Sequence, residues 1–135
     1  LVGSEMCIRD SFSPFSMDRP DLNRKIADND MNTWEAITTG NTMVLKNAKY
    51  VIWHTNFKLS EPYQKSGGVI LFKKVTGKAE VWLNGKLLGK KDTMNEGDFK
   101  VEFPTIRTVC ELRVLLNNTM NAHVGLGGAV IIQSK

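Results

Sequence analysis

The sequence predicts an all-β protein, a sandwich of two packed sheets. Three observations carry that prediction. From Tyr50 onward, strand-like runs recur at roughly ten-residue spacing with turn formers between them, the pattern of a β-sandwich. No window shows the apolar stripe of an amphipathic helix. The run AEVWLNGKLLGK (79–90) reads as a β-hairpin, because Asn84-Gly85 supplies the two positive-φ positions that a type I′ turn needs.

The elements follow in order along a chain of 135 residues, a length that fits one domain with a real core. Residues 12–30 are rich in turn formers and read as a linker or an extended lead-in. The sandwich is expected over 31–135. Trp34, outside any clear strand, is expected to pack on its edge. YVIWHTNFKL (50–59) is the first strong strand. Val51, Trp53, Thr55, Phe57 and Leu59 share its core face; Tyr50, Ile52, His54, Asn56 and Lys58 share the other. EPYQKSGG then turns the chain. VILFKKV (69–75) is the next strand, and Thr76-Gly77-Lys78 leads into the hairpin. FKVEF alternates, with Phe99, Val101 and Phe103 inward, and Pro104 ends it. CELRVLLNN and GGAVIIQ complete the set. Cys110 is in phase with Leu112, Val114 and Leu116, a small buried hydrophobe.

Residues 1–11, LVGSEMCIRDS, have no strand or helix period. They resemble the conceptual translation of a transposon-based sequencing adapter over residues 1–10, with Ser11 sharing its codon. On that resemblance they are set aside from fold reasoning, Cys7 is not counted as a native cysteine, and the chain is expected to be a fragment of a longer one. The segment holds Arg9 against Glu5 and Asp10, a net of −1. Without it the whole-chain charge of +4 becomes +5.

Few residues suggest chemistry. Glycoside hydrolysis needs two carboxylates across the scissile bond. Glu80, Glu102 and Glu111 fall on outward strand phases, and Glu35, Glu61 and Glu96 fall in loops; all read as solvated surface. A (β/α)₈ barrel needs about 250 residues. His54 and His123 have no ligand neighbour at metal spacing, and CxxC, HxxxH and GxSxG are absent. GLGG (125–128) lacks the Lys-Ser/Thr and the helix of a phosphate loop. No catalytic residue, metal or cofactor is therefore expected. The lysines, including Lys65, Lys73, Lys74, Lys78, Lys86, Lys90 and Lys91, are scattered over turns and strand ends, which speaks against a nucleic-acid partner. No apolar run reaches the ~18 residues of a membrane helix.

The tryptophans remain. Trp53 is on the core phase. Burying a ring of ~150–250 Å² at ~25 cal/mol per Å² contributes roughly 4–6 kcal/mol. Trp82 is off phase, opposite Val81 and Leu83. It is left with two roles: packing under a loop or another domain, or stacking on a sugar.

LFKKVTGKAEVWLNGKLLG, with the strand FKL before it and GDFKVEF and CELRVLLNN after it, resembles a galactose-binding-like jelly-roll domain of glycoside hydrolase family 2. The matching positions are Ala79, Val81, Leu83, Asn84, Gly85 and Gly89, over about residues 31–135. Asn84 and Gly85 make the turn, Gly89 lets the return strand bend or approach backbone, and Ala79 suits a close approach of the sheets. DNDMNTWEAI and GLGGAVIIQ bring the likeness nearest to the terminal accessory sandwich of bacterial β-galactosidases. The resemblance implies a non-catalytic accessory domain from the C-terminal part of an enzyme that hydrolyses β-galactosides. The family's acid and nucleophile glutamates have no matching position. It further implies a secreted or periplasmic parent, the parent's catalytic domain as partner, and β-galactosides or other oligosaccharides as ligands. Trp82, Asn84 and His54 are the candidate carbohydrate-binding or domain-contact residues. An independent carbohydrate-binding module and a cell-surface interaction sandwich are the alternatives.

Overall fold

The computed structural model describes residues 6–22, 35–36, 41–58, 61–105 and 110–133. Trp34 and Leu59 lie outside them. The strands in chain order are β1 (Met6–Phe12), β2 (Glu35–Ala36), β3 (Asn41–Val44), β4 (Tyr50–Lys58), β5 (Gly68–Thr76), β6 (Ala79–Leu83), β7 (Lys86–Lys91), β8 (Gly97–Phe103), β9 (Cys110–Asn117), β10 (His123–Leu126) and β11 (Val130–Gln133), with one short helix, α1 (Glu61–Ser66). Among the described residues they form two antiparallel sheets. The first runs β2-β1-β4-β9-β6-β7; in the second, β5 pairs with β8 on one side and with β11 and β10 on the other, and β10 pairs with β3. The all-β sandwich is thus the observed architecture.

Period-2 alternation decides what each sheet turns inward. In the first sheet the register aligns Trp53, Val114 and Val81 across β4, β9 and β6, with Val51, Leu116 and Ala79 one step along. These side chains meet Ile70, Phe72 and Val75 of β5, Val101 and Phe103 of β8, and Val124, Val130 and Ile132, in one continuous buried cluster. Cys110 is in it, fully buried, and its thiol is pushed up to about 11 by desolvation. An acidity so weakened leaves little thiolate for reaction.

Three local features differ from expectation. EPYQKSGG forms a turn and a half of helix rather than a plain turn. Pro62 is tolerated in its first turn, where its missing N–H goes unused, and Lys65 pairs with Glu61 one turn back at 2.8 Å. The short strands β3 and β10 form a pair whose brief apolar runs carry no clear period. Third, Met6–Phe12, which includes most of the adapter-like segment, pairs antiparallel with β4. Strand pairing is made by main-chain groups, which every sequence supplies.

The hairpin has both expected turn residues at positive φ, Asn84 at 50° and Gly85 at 80°. Its register shifts between Val81 and Trp82, pairing Val81 with Gly89 and Trp82 with Leu87, so Leu88 is the extra residue of a bulge. A Cβ on Gly89 would come within 2.9 Å of Val101 Cγ1 in the other sheet, so this glycine makes room for a side chain rather than for a neighbouring backbone.

Candidate functional site

The two strands that carry His54 and Trp82 flank β9, and both residues align with Arg113: His54 on β4 and Trp82 on β6. Cross-strand partners project to the same face. His54, Arg113 and Trp82 therefore form one row on the outer face of the first sheet, His54 and Trp82 about 10 Å apart by strand spacing. Asn84 lies farther along β6, at the hairpin turn. Its main-chain N–H donates to the Glu111 carbonyl at 2.9 Å, and its Oδ1 accepts the Glu111 N–H at 2.8 Å. That amide is spent on holding the turn to β9.

The outer face is covered by the chain's own lead-in, Ser13–Leu22, which crosses it as a strap. Ser13 donates its N–H to the Ile52 carbonyl at 2.8 Å, and its Oγ accepts the Ile52 N–H at 2.9 Å. Ser16 and Tyr50 exchange both main-chain hydrogen bonds, each at 2.9 Å. Leu22 is buried with Ile52 and Leu115, and Tyr50 and Trp82 pack against them in a small second core. Arg19 then reaches Glu80 with both guanidinium nitrogens, Nη1 to Oε2 at 2.9 Å and Nη2 to Oε1 at 2.7 Å. Trp82 Nε1–H donates to the same Oε1 at 3.2 Å. Arg113, buried, donates through Nη1 to the Leu22 carbonyl at 3.1 Å and is ion-paired with Glu111. His54 is also buried, its Nε2 3.7 Å from Glu111 Oε2.

Glu80 is thus the pin of the strap, and the expectation of a solvated carboxylate is corrected. It lies on the outward phase, but the outer face is itself covered, and Glu80 is only 8% exposed. Arg19 holds its carboxyl below the usual glutamate range; burial opposes this and the Trp82 N–H adds to it. A glycosidase acid needs a raised pKa, so Glu80 is tuned away from that task. Lys91 departs from expectation in the same way. It is buried, and Nζ donates to the carbonyls of Gly77 (2.9 Å), Thr93 (2.6 Å) and Asn95 (2.7 Å). Desolvation lowers its pKa. Among the described residues no group of three or more His, Cys, Asp or Glu is placed to hold a metal ion.

Sequence reasoning missed Arg19, Glu80, Leu22 and Arg113. Leu22 left a faint signal, one large apolar side chain in a polar stretch. Arg19 and Glu80 lie 61 positions apart, and no local pattern joins them.

No protein-family profile matches the chain, and no curated protein sequence matches it. Solved structures do. A calcium-binding mutant of β-glucuronidase 2 from Bacteroides uniformis superposes with a TM-score of 0.70 at 14% identity, over 93% of this chain and 17% of its own. A β-glycosidase from Bacteroides vulgatus gives 0.67 at 17% identity, over 93% and 19%. A β-D-mannosidase from Dictyoglomus thermophilum gives 0.65 at 12%, over 93% and 22%. The chain is similar in fold to a part of each, and it spans about a fifth of their length.

Proposed function

We propose that this chain is a non-catalytic accessory β-sandwich of a larger family 2-type glycoside hydrolase, with a structural or substrate-holding role. One observation carries the reading: nearly the whole chain superposes on about a fifth of several glycosidases. The site agrees with it. Glu80 is engaged by the Arg19 guanidinium, and a carboxylate so held is poorly suited to proton transfer at a glycosidic oxygen. The matched enzymes differ in sugar, so the β-galactoside specificity of the parent rests chiefly on the sequence resemblance carried by DNDMNTWEAI and GLGGAVIIQ.

The genomic reading frame that contains residues 12–135 tests the parent. It should also encode, upstream of this sandwich, a (β/α)₈ domain bearing a pair of catalytic carboxylates; a frame holding this sandwich alone would overturn the proposal. Calorimetric titration of the chain with galactose, lactose and β-linked galacto-oligosaccharides tests the role. No binding heat is expected, because Trp82 packs on the strap and Asn84 on Glu111. Millimolar or tighter binding that Trp82→Ala abolishes would establish an independent carbohydrate-binding module instead.

A further inference from the structure

On the side away from β9, β4 receives the incoming chain as a strand. Within a strand, successive residues aim their main-chain groups to opposite sides. The Asn118 N–H bonds the Lys49 carbonyl, so odd-numbered residues of this stretch face β9. Tyr50 and Ile52 bond Ser16 and Ser13, so even-numbered ones face the other way. His54 and Asn56 therefore offer their N–H and C=O groups to β1, where they pair with Ser11 and Arg9. The register then slips between Cys7 and Arg9, and pairing continues to Met6 opposite Lys58.

Phe12, Ser13 and Ser16 fix the path of the incoming chain. Phe12 is paired with Trp53, Ser13 is bonded to Ile52, and Ser16 is bridged to Tyr50. Whatever precedes Phe12 is delivered alongside His54, Asn56 and Lys58. The segment delivered here resembles an adapter translation, a sequence with no history of selection for this slot, and it takes the slot in strand form.

We propose that the edge of β4 is a strand-acceptor site that recognises the main chain, not the side chains, of the segment preceding Phe12. The occupant in the parent is the parent's own chain at those positions, added to β4 in the register that β1 shows. Main-chain hydrogen bonds supply the recognition, as in other strand additions. The occupant named here rests on the accessory-domain reading; the acceptor edge of β4 does not.

Amide hydrogen exchange by NMR on three chains tests it: the full chain, a chain beginning at Phe12, and a chain with residues 6–11 replaced by alternating Thr and Val. In the full chain the His54 and Asn56 amides should be protected. In the truncated chain they should exchange faster, on the order of tenfold or more. The Tyr50 and Ile52 amides, still bonded to Ser16 and Ser13, should stay protected and serve as internal control. The Thr/Val chain should restore protection at His54 and Asn56. Unchanged protection in the truncated chain would overturn the proposal, and so would failure of the Thr/Val segment to restore it. If truncation unfolds the whole domain, seen as lost protection at Val51 and Trp53 as well, the Thr/Val chain decides alone by the same criterion.

Discussion

Glu80 shows how much one covered carboxylate can organise. Its oxygens receive two Arg19 bonds and the Trp82 N–H, linking the strap to the sheet. Its pKa is lowered in the folded state, chiefly by Arg19. A carboxyl whose folded pKa lies below its unfolded value contributes stability above the ordinary glutamate pKa of about 4.3, and loses it as pH falls through the folded value. Urea denaturation at neutral pH and at successively lower pH should therefore show a loss of stability on acidification that Arg19→Met diminishes. At neutral pH, Arg19→Met should cost about 1 kcal/mol, since Arg19 is half exposed and such pairs are screened. An identical acid profile in both chains would show that Glu80 is not the pin. Trp53 makes the contrast. It is 3% exposed in the main core, so Trp53→Ala should cost about 3–5 kcal/mol. Its indole N–H is buried with no hydrogen-bond partner among the described residues, so Trp53→Phe should cost far less than Trp53→Ala in the same denaturation experiment.

The hairpin of β6 and β7 was readable because its signals are local. Asn84-Gly85 needs only its own backbone angles, and the alternation of Val81 and Leu83 against Trp82 needs only the pleat. The same locality let Phe99, Val101, Phe103 and the β9 run be assigned to the core. What stayed hidden was set by distance along the chain. No property of residues 12–30 shows that Leu22 covers Ile52 and Leu115, or that Arg19 meets Glu80. Lys91 looked like one more strand-end lysine, because the three carbonyls that hold it belong to a turn and a loop that meet only after folding. Gly89 joins the two cases: its identity suggested a close approach, but the approaching group, Val101, belongs to the other sheet. Gly89→Ala should force Val101 to shift, and Val101→Ala should open a cavity. A double-mutant cycle measured by denaturation should then show the pair costing less than the sum of the single changes, with a coupling of about 0.5–1 kcal/mol. Strict additivity would mean that β7 moves away from β8 instead. Lys91→Met, which leaves the Gly77, Thr93 and Asn95 carbonyls without their shared donor, should cost about 1–3 kcal/mol in the same assay.

The two ends of the sandwich are unlike. One carries the Asn84-Gly85 turn, α1 and Pro104. At the other, main-chain hydrogen bonds tie the loops into a single rim: Ser16 to Lys49 and Tyr50, Lys49 to Asn118, Leu45 to Asn121 and Ala122, and Gly77 to Met94. The exposed large apolar side chains among the described residues are Phe15, Met17, Val44, Met94 and Met120, and each lies on or beside a loop of this rim. The sequence directed attention to Trp82 as the contact residue, yet Trp82 is half-buried by the chain's own strap. Under the accessory-domain proposal, the rim, rich in flexible methionine that adapts its shape to a surface it meets, is the expected place for a neighbouring part of the parent to pack. A chain carrying Met17→Ser, Val44→Thr, Met94→Ser and Met120→Ser should bind less of a hydrophobic-surface dye and remain monomeric to higher concentration in sedimentation. Its unfolding free energy should stay close to that of the unsubstituted chain, because exposed changes of this kind move stability by about 0.5 kcal/mol or less each. Equal dye binding and equal sedimentation in the two chains would mean that these side chains are the isolated exposed hydrophobes every domain carries, and the rim would lose its claim as the contact end.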